Sequence, residues 1–370
     1  MHLRQLTIPL LTLLPLLAAA GGKQTPERHA AATAAVAGTA GEEPAAADTV
    51  IVVDKVQVTA IKQGLVLRSQ PVAASIVGGR AIERGRIGAV KNLSQTVPNF
   101  HAPDYGSRMT SSIYVRGLGA RIDQPVIGLN IDNVPVLNKD NFDTELADAE
   151  RIEVLRGPQS TLYGRNTMGG VINVYTLSPL SYEGVRLSAE YGSGDSYKFR
   201  ASSYYKLTPD LGMAVTGYYT HTGGFFENLA TGDKCDWERL GGGRWKTQWR
   251  SRTGLRIDNT LSFSVLEQGG YPYAVCDSVT HKPGEVNYND YSFYKRTLST
   301  TGFSADYQGR GYSINSRTAF QYISDHQGID QDFSPKSIYF ARQDMKQKMF
   351  SEELNIKSTT PGRYKWLSLI

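Results

Sequence analysis

The C-terminal half of the chain repeats one pattern, in which segments of roughly ten residues alternate apolar and polar side chains. Such segments occur at residues 185–191, 197–206, 211–220, 244–253, 257–266, 298–307, 312–323, 347–357 and 363–370. Short turns and long loops alternate between them, the long loops being residues 221–243, 267–297 and 324–346. Strands that cross a membrane as a closed barrel sort their connections in this way, and a soluble sandwich has no reason to do so. The pattern predicts about nine strands of a transmembrane antiparallel β-barrel.

Two segments test the alternation in detail, because successive side chains of a strand point to opposite faces. In 312–323 the apolar face holds Tyr312, Ile314, Phe320 and Tyr322, and the polar face holds Ser313, Asn315, Arg317 and Gln321. In 347–357 the corresponding sets are Phe350, Leu354 and Ile356, and Ser351, Glu353 and Asn355. Glu352 breaks the pattern. Either it lies near a membrane interface or the register is shifted by one residue.

Composition agrees with an exported β-protein. The net charge of +5 is spread along the chain, which argues against nucleic-acid binding, and 37 Gly and 21 Tyr suit many turn-separated strands. An apolar run from Leu6 to Leu17 ends in small residues, so residues 1–20 read as a signal peptide cleaved after Ala20. Residues 21–47 contain few large apolar side chains and are predicted to be a disordered linker.

A strand-like segment, residues 48–60, follows the linker. An extended segment at a flexible end can donate a strand to the sheet edge of a partner. It can equally be the first strand of the next domain, and the residues alone do not choose between the two readings.

Residues 73–180 read as a small α+β domain. The predicted elements are a strand at Ser75–Val77, a short helix at Ala89–Gln95, strands at Ser112–Arg116, Val126–Ile131 and Val134–Val136, and a helical turn at Thr144–Ala149. The stretch from Glu150 to Thr176 then reads as a tightly packed strand–turn–strand unit, since paired glycines mark sharp bends or close backbone approach.

Three runs in this domain resemble the plug domain of TonB-dependent outer-membrane receptors. They are SIYVRG from Ser112, IDNVPV from Ile131 and ERIEVLRGPQSTLYGRNTMGGVINVYT from Glu150. The resemblance implies a plug domain at 61–182, followed at 183–370 by the first part of a barrel expected to have 22 strands. Since nine strands cannot enclose such a plug, the chain is expected to be a truncated receptor that forms no heat-resistant barrel by itself.

The function implied by the resemblance is import across the outer membrane of a Gram-negative bacterium. The ligand would be a scarce nutrient, most readily a ferric siderophore or another iron chelate. Cobalamin and haem are alternatives, and so is a non-transporting remnant. TonB, working with ExbB and ExbD, would bind a box at Asp54, Lys55, Val56, Gln57, Val58, Thr59 and Ala60. A second placement of the box begins at Asp48. The barrel is expected to be surrounded by outer-membrane lipid. No nucleic-acid partner, enzyme activity, catalytic residue, cofactor or resident metal is expected.

The resemblance also suggests site residues. Ligand contacts at the plug tips would come from His101, Tyr105, Ser107, Arg108, Met109, Arg121, Asn138, Lys139, Asn141 and Phe142. The plug core would contain Arg116, Gly117, Glu153, Arg156, Gly157, Tyr163, Gly164, Gly169 and Gly170. Arg116 and Arg156 would pair with acids of the barrel wall, and Glu353 is the inward acid proposed for them. Loop parity places Cys235 and Cys276 in neighbouring external loops and predicts a disulfide between them.

Overall fold

The computed structural model describes residues 57–58, 65–66, 73–103, 105–106, 112–120, 124–142, 144–360 and 366–369. Within these ranges no helix has both the length and the apolar character needed to cross a bilayer. The first described strands, β1 (Gln57–Val58) and β2 (Leu65–Val66), pair antiparallel in a sheet of their own. The other five residues of the predicted TonB box, 54–56 and 59–60, lie outside the described residues, as do the predicted signal peptide and linker.

The next part of the chain is an α+β domain. Its strands are β3 (Ala73–Gly78), β4 (Phe100–His101), β5 (Tyr114–Val115), β6 (Leu118–Gly119), β7 (Ile127–Ile131), β8 (Val134–Val136), β9 (Ala149–Arg156) and β10 (Gly170–Thr176). Five of them form a mixed sheet in the order β3-β9-β10-β7-β8, and β4-β5-β6 form a small second sheet. Helix α1 (Gly79–Arg84), a 3-10 helix at Val90–Gln95, another at Lys139–Asn141 and helix α2 (Ser160–Tyr163) complete the domain.

The core of this domain lies on one face of the mixed sheet. Val90, Leu93, Ile152, Val154 and Ile172 are all fully buried in it. β9 and β10 lie inside the sheet, and their apolar side chains are buried, among them Leu155, Val171 and Val174. The predicted strand–turn–strand unit from Glu150 to Thr176 is therefore present, with α2 in its connection.

The remaining strands form a second, larger sheet. They are β11 (Gly184–Gly192), β12 (Ser196–Thr208), β13 (Leu211–Thr222), β14 (Glu238–Arg250), β15 (Leu255–Gln268), β16 (Phe293–Gln308), β17 (Tyr312–Asp330), β18 (Phe340–Ser358) and β19 (Leu367–Leu369). Each pairs antiparallel with the next, and β11 and β19 form the two edges, so the sheet is an unclosed part of a barrel. Its loop end carries residues 223–237, 269–292 and 331–339, and its turn end carries the short connections.

The two faces of this sheet differ as the alternation predicted. Its outer face exposes Leu187, Phe199, Trp245, Phe263, Phe320 and Phe350. The inner face buries polar side chains, among them Ser313 and Gln321. Glu352 lies on the outer face without a register shift, because its carboxylate accepts hydrogen bonds from the hydroxyls of Ser316 and Thr318 on the adjacent strand.

One predicted element is shorter than expected. Of residues 144–149, only 146–149 form a turn, closed by the Ala149 amide donating to the Leu146 carbonyl at 3.3 Å. Before it, Glu145 makes an isolated antiparallel bridge with Ala89, and the Leu146 amide donates to the Gly88 carbonyl at 2.8 Å. Extended backbone at this point directs acidic side chains toward the larger sheet. The strand predicted at 112–116 is also shorter than expected, since only β5 (Tyr114–Val115) is paired.

Replacing Gly170 with Ala should loosen the centre of the mixed sheet. Gly170 has φ +155°, and an added Cβ would lie 2.4 Å from the Leu155 carbonyl oxygen. Backbone strain of this kind costs about 1–3 kcal/mol, and the contact with Leu155 adds to it. Hydrogen exchange of β9 and β10 should become faster in G170A. The matched change Gly78→Ala meets no atom within 4 Å and should leave exchange unchanged; equal effects of the two changes would contradict the argument.

Candidate functional site

The α+β domain contacts the inner face of the larger sheet through carboxylates that meet cations. Arg200 on β12 donates to Glu145 Oε1 from Nε at 2.9 Å and from Nη2 at 2.7 Å, and its Nη1 donates to Glu190 at 2.6 Å. Gly88 makes this approach possible, because a Cβ there would lie 2.7 Å from Arg200 Nη2. The Glu145 side chain is 2% exposed, so its charge depends on Arg200 for compensation.

A second pair lies beside the first. Arg244 on β14 donates from Nη1 to Asp148 Oδ1, and the two side chains are 11% and 5% exposed. Thr216 on β13 lies 3.5 Å from the other Asp148 oxygen, and its hydroxyl donates to Ser202 at 3.0 Å. Because breaking a buried pair by removing one partner costs about 3–5 kcal/mol, this contact holds the domain firmly against β12–β14.

The third pair joins the turn between β7 and β8 to the larger sheet. Lys246 Nζ on β14 lies 3.0 Å from Asp132 Oδ2 and 2.7 Å from the Thr176 hydroxyl. The Thr176 amide donates to Asp132 Oδ1 at 2.9 Å. Burial opposes ionisation of Asp132, but the Lys246 charge and the Thr176 hydrogen bonds outweigh it and lower the pKa of Asp132. Asp132 is therefore a carboxylate at neutral pH.

Farther along the larger sheet the contacts use main-chain groups and amides. Gln321 on β17 accepts from the Leu137 amide at 3.0 Å, and Asn138 donates to Gln347 on β18 at 2.8 Å. Arg296 on β16 donates to the Asp140 carbonyl and is paired with Asp325 of β17 at 2.6 Å.

The ion pairs thus have the opposite polarity to the one predicted. The described pairs that hold the domain put the acid on the domain and the cation on the larger sheet. Arg156 donates to the Pro98 carbonyl at 3.0 Å, Arg116 lies beside Gly157, and Glu353 accepts from Asn355. The predicted pairing of either arginine with Glu353 is not formed between these described side chains.

The remaining predicted core residues lie where the turns of the domain are tight. Glu153 is fully buried and pairs with Arg151 at 2.9 Å, and the Tyr163 hydroxyl accepts from Asn173 at 3.3 Å. Positive φ angles occur at Gly117, Gly157, Gly164 and Gly170, and Gly169 packs against Ile127.

A cavity of about 470 Å³, here called the vestibule, opens between the domain and the loop end of the sheet. The domain contributes Lys91, Asn92, Ala102, Pro103, Gly106 and Ser112, and the sheet and its loops contribute Lys198, Thr220, Phe226, Glu238, Gln268 and Pro272. Its walls therefore combine cations, acids, amides and apolar surface. A compact polar chelate or cofactor-sized molecule fits such a space.

The loops above the vestibule are bonded to one another. Asn228 donates to the Tyr288 carbonyl at 2.7 Å and accepts from the Tyr288 amide at 3.1 Å. Asp330 accepts from the Asp290 amide at 3.1 Å, while the Asp330 amide donates to Ser292 at 2.9 Å. The three long loops therefore form one connected cap.

The structure places the residues predicted to contact the ligand in different environments. His101 is exposed, and Tyr105 lies at the mouth of the vestibule, where its carbonyl accepts from the Tyr273 hydroxyl at 2.7 Å. Asn138 and Lys139 are half-buried, whereas Asn141 and Phe142 are 3% and 2% exposed. Phe142 packs in the domain core and also lines the vestibule. Ser107, Arg108, Met109 and Arg121 lie outside the described residues.

A second cavity, of about 800 Å³, lies between the domain and the turn end of the sheet. Its walls include Tyr163 and Tyr175 of the domain and the pairs Arg256–Asp258 and Arg317–Asp306 of the sheet. Burial, and after it the Glu153 charge, raise the pKa of Tyr175 well above its usual value, so this phenol stays protonated. The domain thus separates two polar cavities.

The predicted disulfide is not formed. Cys235 is buried in a small cluster with Val286, Tyr288 and Phe333, whereas Cys276 is an exposed free cysteine. The Cys235 thiol donates to the Phe226 carbonyl at 3.4 Å. Neighbouring loops bring the cysteines to the same end of the sheet, but packing turns one inward and leaves the other in solvent.

Comparison with known proteins identifies the domain. Residues 66–171 match the family described as the TonB-dependent Receptor Plug Domain. Residues 66–171 are thus similar to the plug of TonB-dependent receptors. We call this domain the plug; the larger sheet lies along one side of it, and the vestibule and the second cavity lie on opposite sides of it.

Two curated relatives are pesticin receptors. The receptor of Yersinia enterocolitica is 32% identical over 145 residues, which are 38% of this chain and 21% of the relative. The receptor of Yersinia pestis is 32% identical over 129 residues, which are 34% of this chain and 19% of the relative. The matched part of the chain therefore spans about a fifth of the length of each of these relatives.

Solved structures show the same fold. The ferric yersiniabactin uptake receptor of Yersinia pestis matches with a TM-score of 0.70 and 22% identity, over 80% of this chain and 47% of that receptor. The ferripyoverdine receptor of the Pseudomonas aeruginosa outer membrane matches with a TM-score of 0.68 and 15% identity, over 84% and 42%. The chain therefore shares its fold with about half of each of these outer-membrane receptors.

The two cysteines should differ in reactivity. A thiol reagent near pH 8 should modify Cys276 quickly and Cys235 at least tenfold more slowly, because burial, and then the Asp236 charge, raise the pKa of the Cys235 thiol. Counting thiols in urea without reductant should give both. Cys276→Ser should remove the fast phase. A count of zero thiols in the parent protein would instead support the predicted disulfide.

The contact between Asp132 and Lys246 should survive mild acid. Because the folded pKa of Asp132 lies below its usual 3.8, the stabilisation is complete above about pH 4 and is lost as the pH falls through the folded pKa. Protection of the Thr176 amide from hydrogen exchange, corrected for intrinsic rates, should stay level from pH 7 to about 4 and then drop. In Asp132→Asn it should be lower and flat. A drop between pH 6 and 5 in the parent would contradict this.

Proposed function

We propose that the chain is the plug and the first part of the barrel of a receptor that imports a ferric siderophore or another iron chelate. The observation that supports this most directly is the plug itself. It separates the vestibule from the second cavity and is held in place by the buried pairs of Glu145, Asp148 and Asp132. In a closed barrel, a ligand that enters from the loop end would pass only if the plug changed its contacts, as expected of a gated importer.

The lining of the vestibule supports a chelate as ligand. Lys91 and Lys198 lie on two different walls, and Phe226 and Pro272 supply apolar surface. Three acids, Glu145, Asp236 and Glu238, line the same cavity, so its charge is mixed. Ferric complexes of oxygen donors are compact and commonly anionic, so charge from the lysines and flat apolar contact suit them. The solved receptors of similar fold are named for ferric yersiniabactin, ferripyoverdine and ferric catecholates.

Coupling to TonB would use the N-terminal strand. In β1, Gln57 and Val58 are paired on one edge by β2. A partner strand from TonB can add to the other edge of β1 through main-chain hydrogen bonds. Energy delivered there would reach the plug through the segment that leads to β3.

Uptake of labelled iron tests the proposal. The chain would be expressed, as part of a receptor with a closed barrel, in a Gram-negative strain that lacks its own ferric-chelate receptors. The cells would be supplied with ferric yersiniabactin, ferripyoverdine or a ferric catecholate. At least one complex should be bound and taken up. Val58→Pro should leave binding intact and reduce uptake to background, because proline removes a main-chain donor from the strand.

A charge change in the vestibule tests the ligand site. Lys198→Gln should weaken binding about two- to fivefold, the range expected for one solvent-accessible charge contact. Lys206→Gln is the matched control, since Lys206 lies on the same strand at the turn end. Binding without uptake would favour the non-transporting remnant, and uptake of cobalamin or haem alone would replace iron chelates as the substrate. Equal effects of the two lysine changes would indicate that the ligand does not bind in the vestibule.

A further inference from the structure

We propose that the plug is hinged on β12–β14, so that it opens by moving away from β16–β18 while its contacts with β12–β14 persist. The contacts that would persist are the pairs Glu145–Arg200, Asp148–Arg244 and Asp132–Lys246, here called the seam. This inference rests on the proposed gating of import by the plug, and it assigns the three acids a positioning role in that movement.

The seam occupies a short stretch of the sheet, because the strand register places Arg200 level with Gly242, two residues before Arg244 and four before Lys246. Glu145 meets Arg200 near the loop end of β12, and Asp132 meets Lys246 on the half of β14 nearer the turn end. Asp148 and Arg244 lie between them. A row of contacts along one line permits rotation about that line and resists translation away from it.

The seam is largely shielded from water, although Glu145 lines the vestibule and Asp132 and Lys246 line the second cavity. The three acids are 2%, 5% and 13% exposed, and their partners are 17%, 11% and 5% exposed. Separating such a pair is unfavourable, because it leaves two uncompensated charges until water can solvate them. The pairs are also reinforced, because Arg200 binds Glu145 through two nitrogens and Lys246 binds both Asp132 and Thr176.

The covalent connection between plug and barrel lies on the same side. Ser178 in this connection donates to Gln248 of β14 at 2.5 Å, and the Leu177 amide donates to the Asp148 carbonyl at 3.1 Å. Gly212 of β13 lies against the Pro179 backbone so closely that an added Cβ would be 2.8 Å from its carbonyl. The tethered side of the plug is therefore also the side with buried ion pairs.

Contacts with β16–β18 differ, because no ion pair among the described residues joins the plug to these three strands. Arg296 of β16 donates to the Asp140 carbonyl, and the other described hydrogen bonds are made by amides. Gln321 reaches the Leu137 amide at 3.0 Å and the Pro135 carbonyl at 3.4 Å, and Asn138 reaches Gln347. Amide hydrogen bonds of this type are exchanged for water with little net change in free energy. A pull on the plug should therefore open this side first.

Thiol labelling of the chain in outer membranes tests the order of opening. In a Cys235→Ser, Cys276→Ser background, single reporters Val136→Cys and Ala147→Cys stand for the β16–β18 side and the seam side. In increasing urea, Val136→Cys should be labelled at least about tenfold faster than Ala147→Cys. Equal rates, or the reverse order, would overturn the proposal.

A second set of variants tests whether the ion pairs cause that order. Arg244→Gln should raise labelling of Ala147→Cys toward the rate of Val136→Cys, and Gln321→Ala should not. The exchange Asp148→Arg with Arg244→Asp should restore slow labelling, which a loss of shape alone would not. If Arg244→Gln fails to fold, Asp132→Asn serves in its place. An unchanged rate at Ala147→Cys in these variants would remove the positioning role.

Covalent locks in the same background connect the hinge to import. Asp148→Cys with Thr216→Cys closes the seam, and Val134→Cys with Gly302→Cys closes the other side, where Gly302 packs directly against Val134. Under oxidation the first lock should keep uptake within about twofold of the reduced form, and the second should abolish it. Loss of uptake with the seam lock would overturn the hinge. Absence of uptake in the unlocked parent would instead count against the proposed function, and the labelling order would still decide the hinge.

Discussion

Burial of three carboxylate–cation pairs is the interaction on which the rest of this structure depends. The inner face of the barrel sheet presents Arg200, Arg244 and Lys246, which cannot be buried without counter-charges. The plug supplies those charges, so each part neutralises the other. This mutual dependence fixes the height of the plug between the two cavities, and it explains why the segment around Glu145 is extended rather than helical.

Much of the fold could be predicted from the sequence, because short local patterns of apolar and polar residues determine where its strands lie. Period-two alternation identified each of the nine strands of the larger sheet, and the runs from Ser112, Ile131 and Glu150 identified the plug. The observed strands are longer than predicted, since the inner and outer faces continue into the loop end. Conversely, residues 144–149 have good helix formers, yet the contact of Glu145 with Ala89 and Arg200 overrides that preference.

The candidate site was harder to predict because its contacts join residues far apart in the chain. Arg244, Lys246 and Gln248 recur at every second position of β14 and all face the plug. That repetition was a usable signal, because a row of inward polar groups that includes two cations requires acids opposite. Nothing local indicated which acids these were. The disulfide prediction failed for a related reason: loop order gives the end of the sheet at which a cysteine lies, but not the direction in which packing turns its side chain.

The small sheet of β1 and β2 has a mechanical consequence. Gln57 is paired with Val66, so the hairpin lies in series between any load applied to β1 and the plug that begins at β3. A hairpin loaded at its ends opens one residue pair at a time, which requires little force. Its opening would release the ten residues from Gln57 to Val66, about 30 Å of extended chain. The first part of a pull would therefore only open the hairpin and extend it. Tension would reach the plug only if the displacement continued beyond that length.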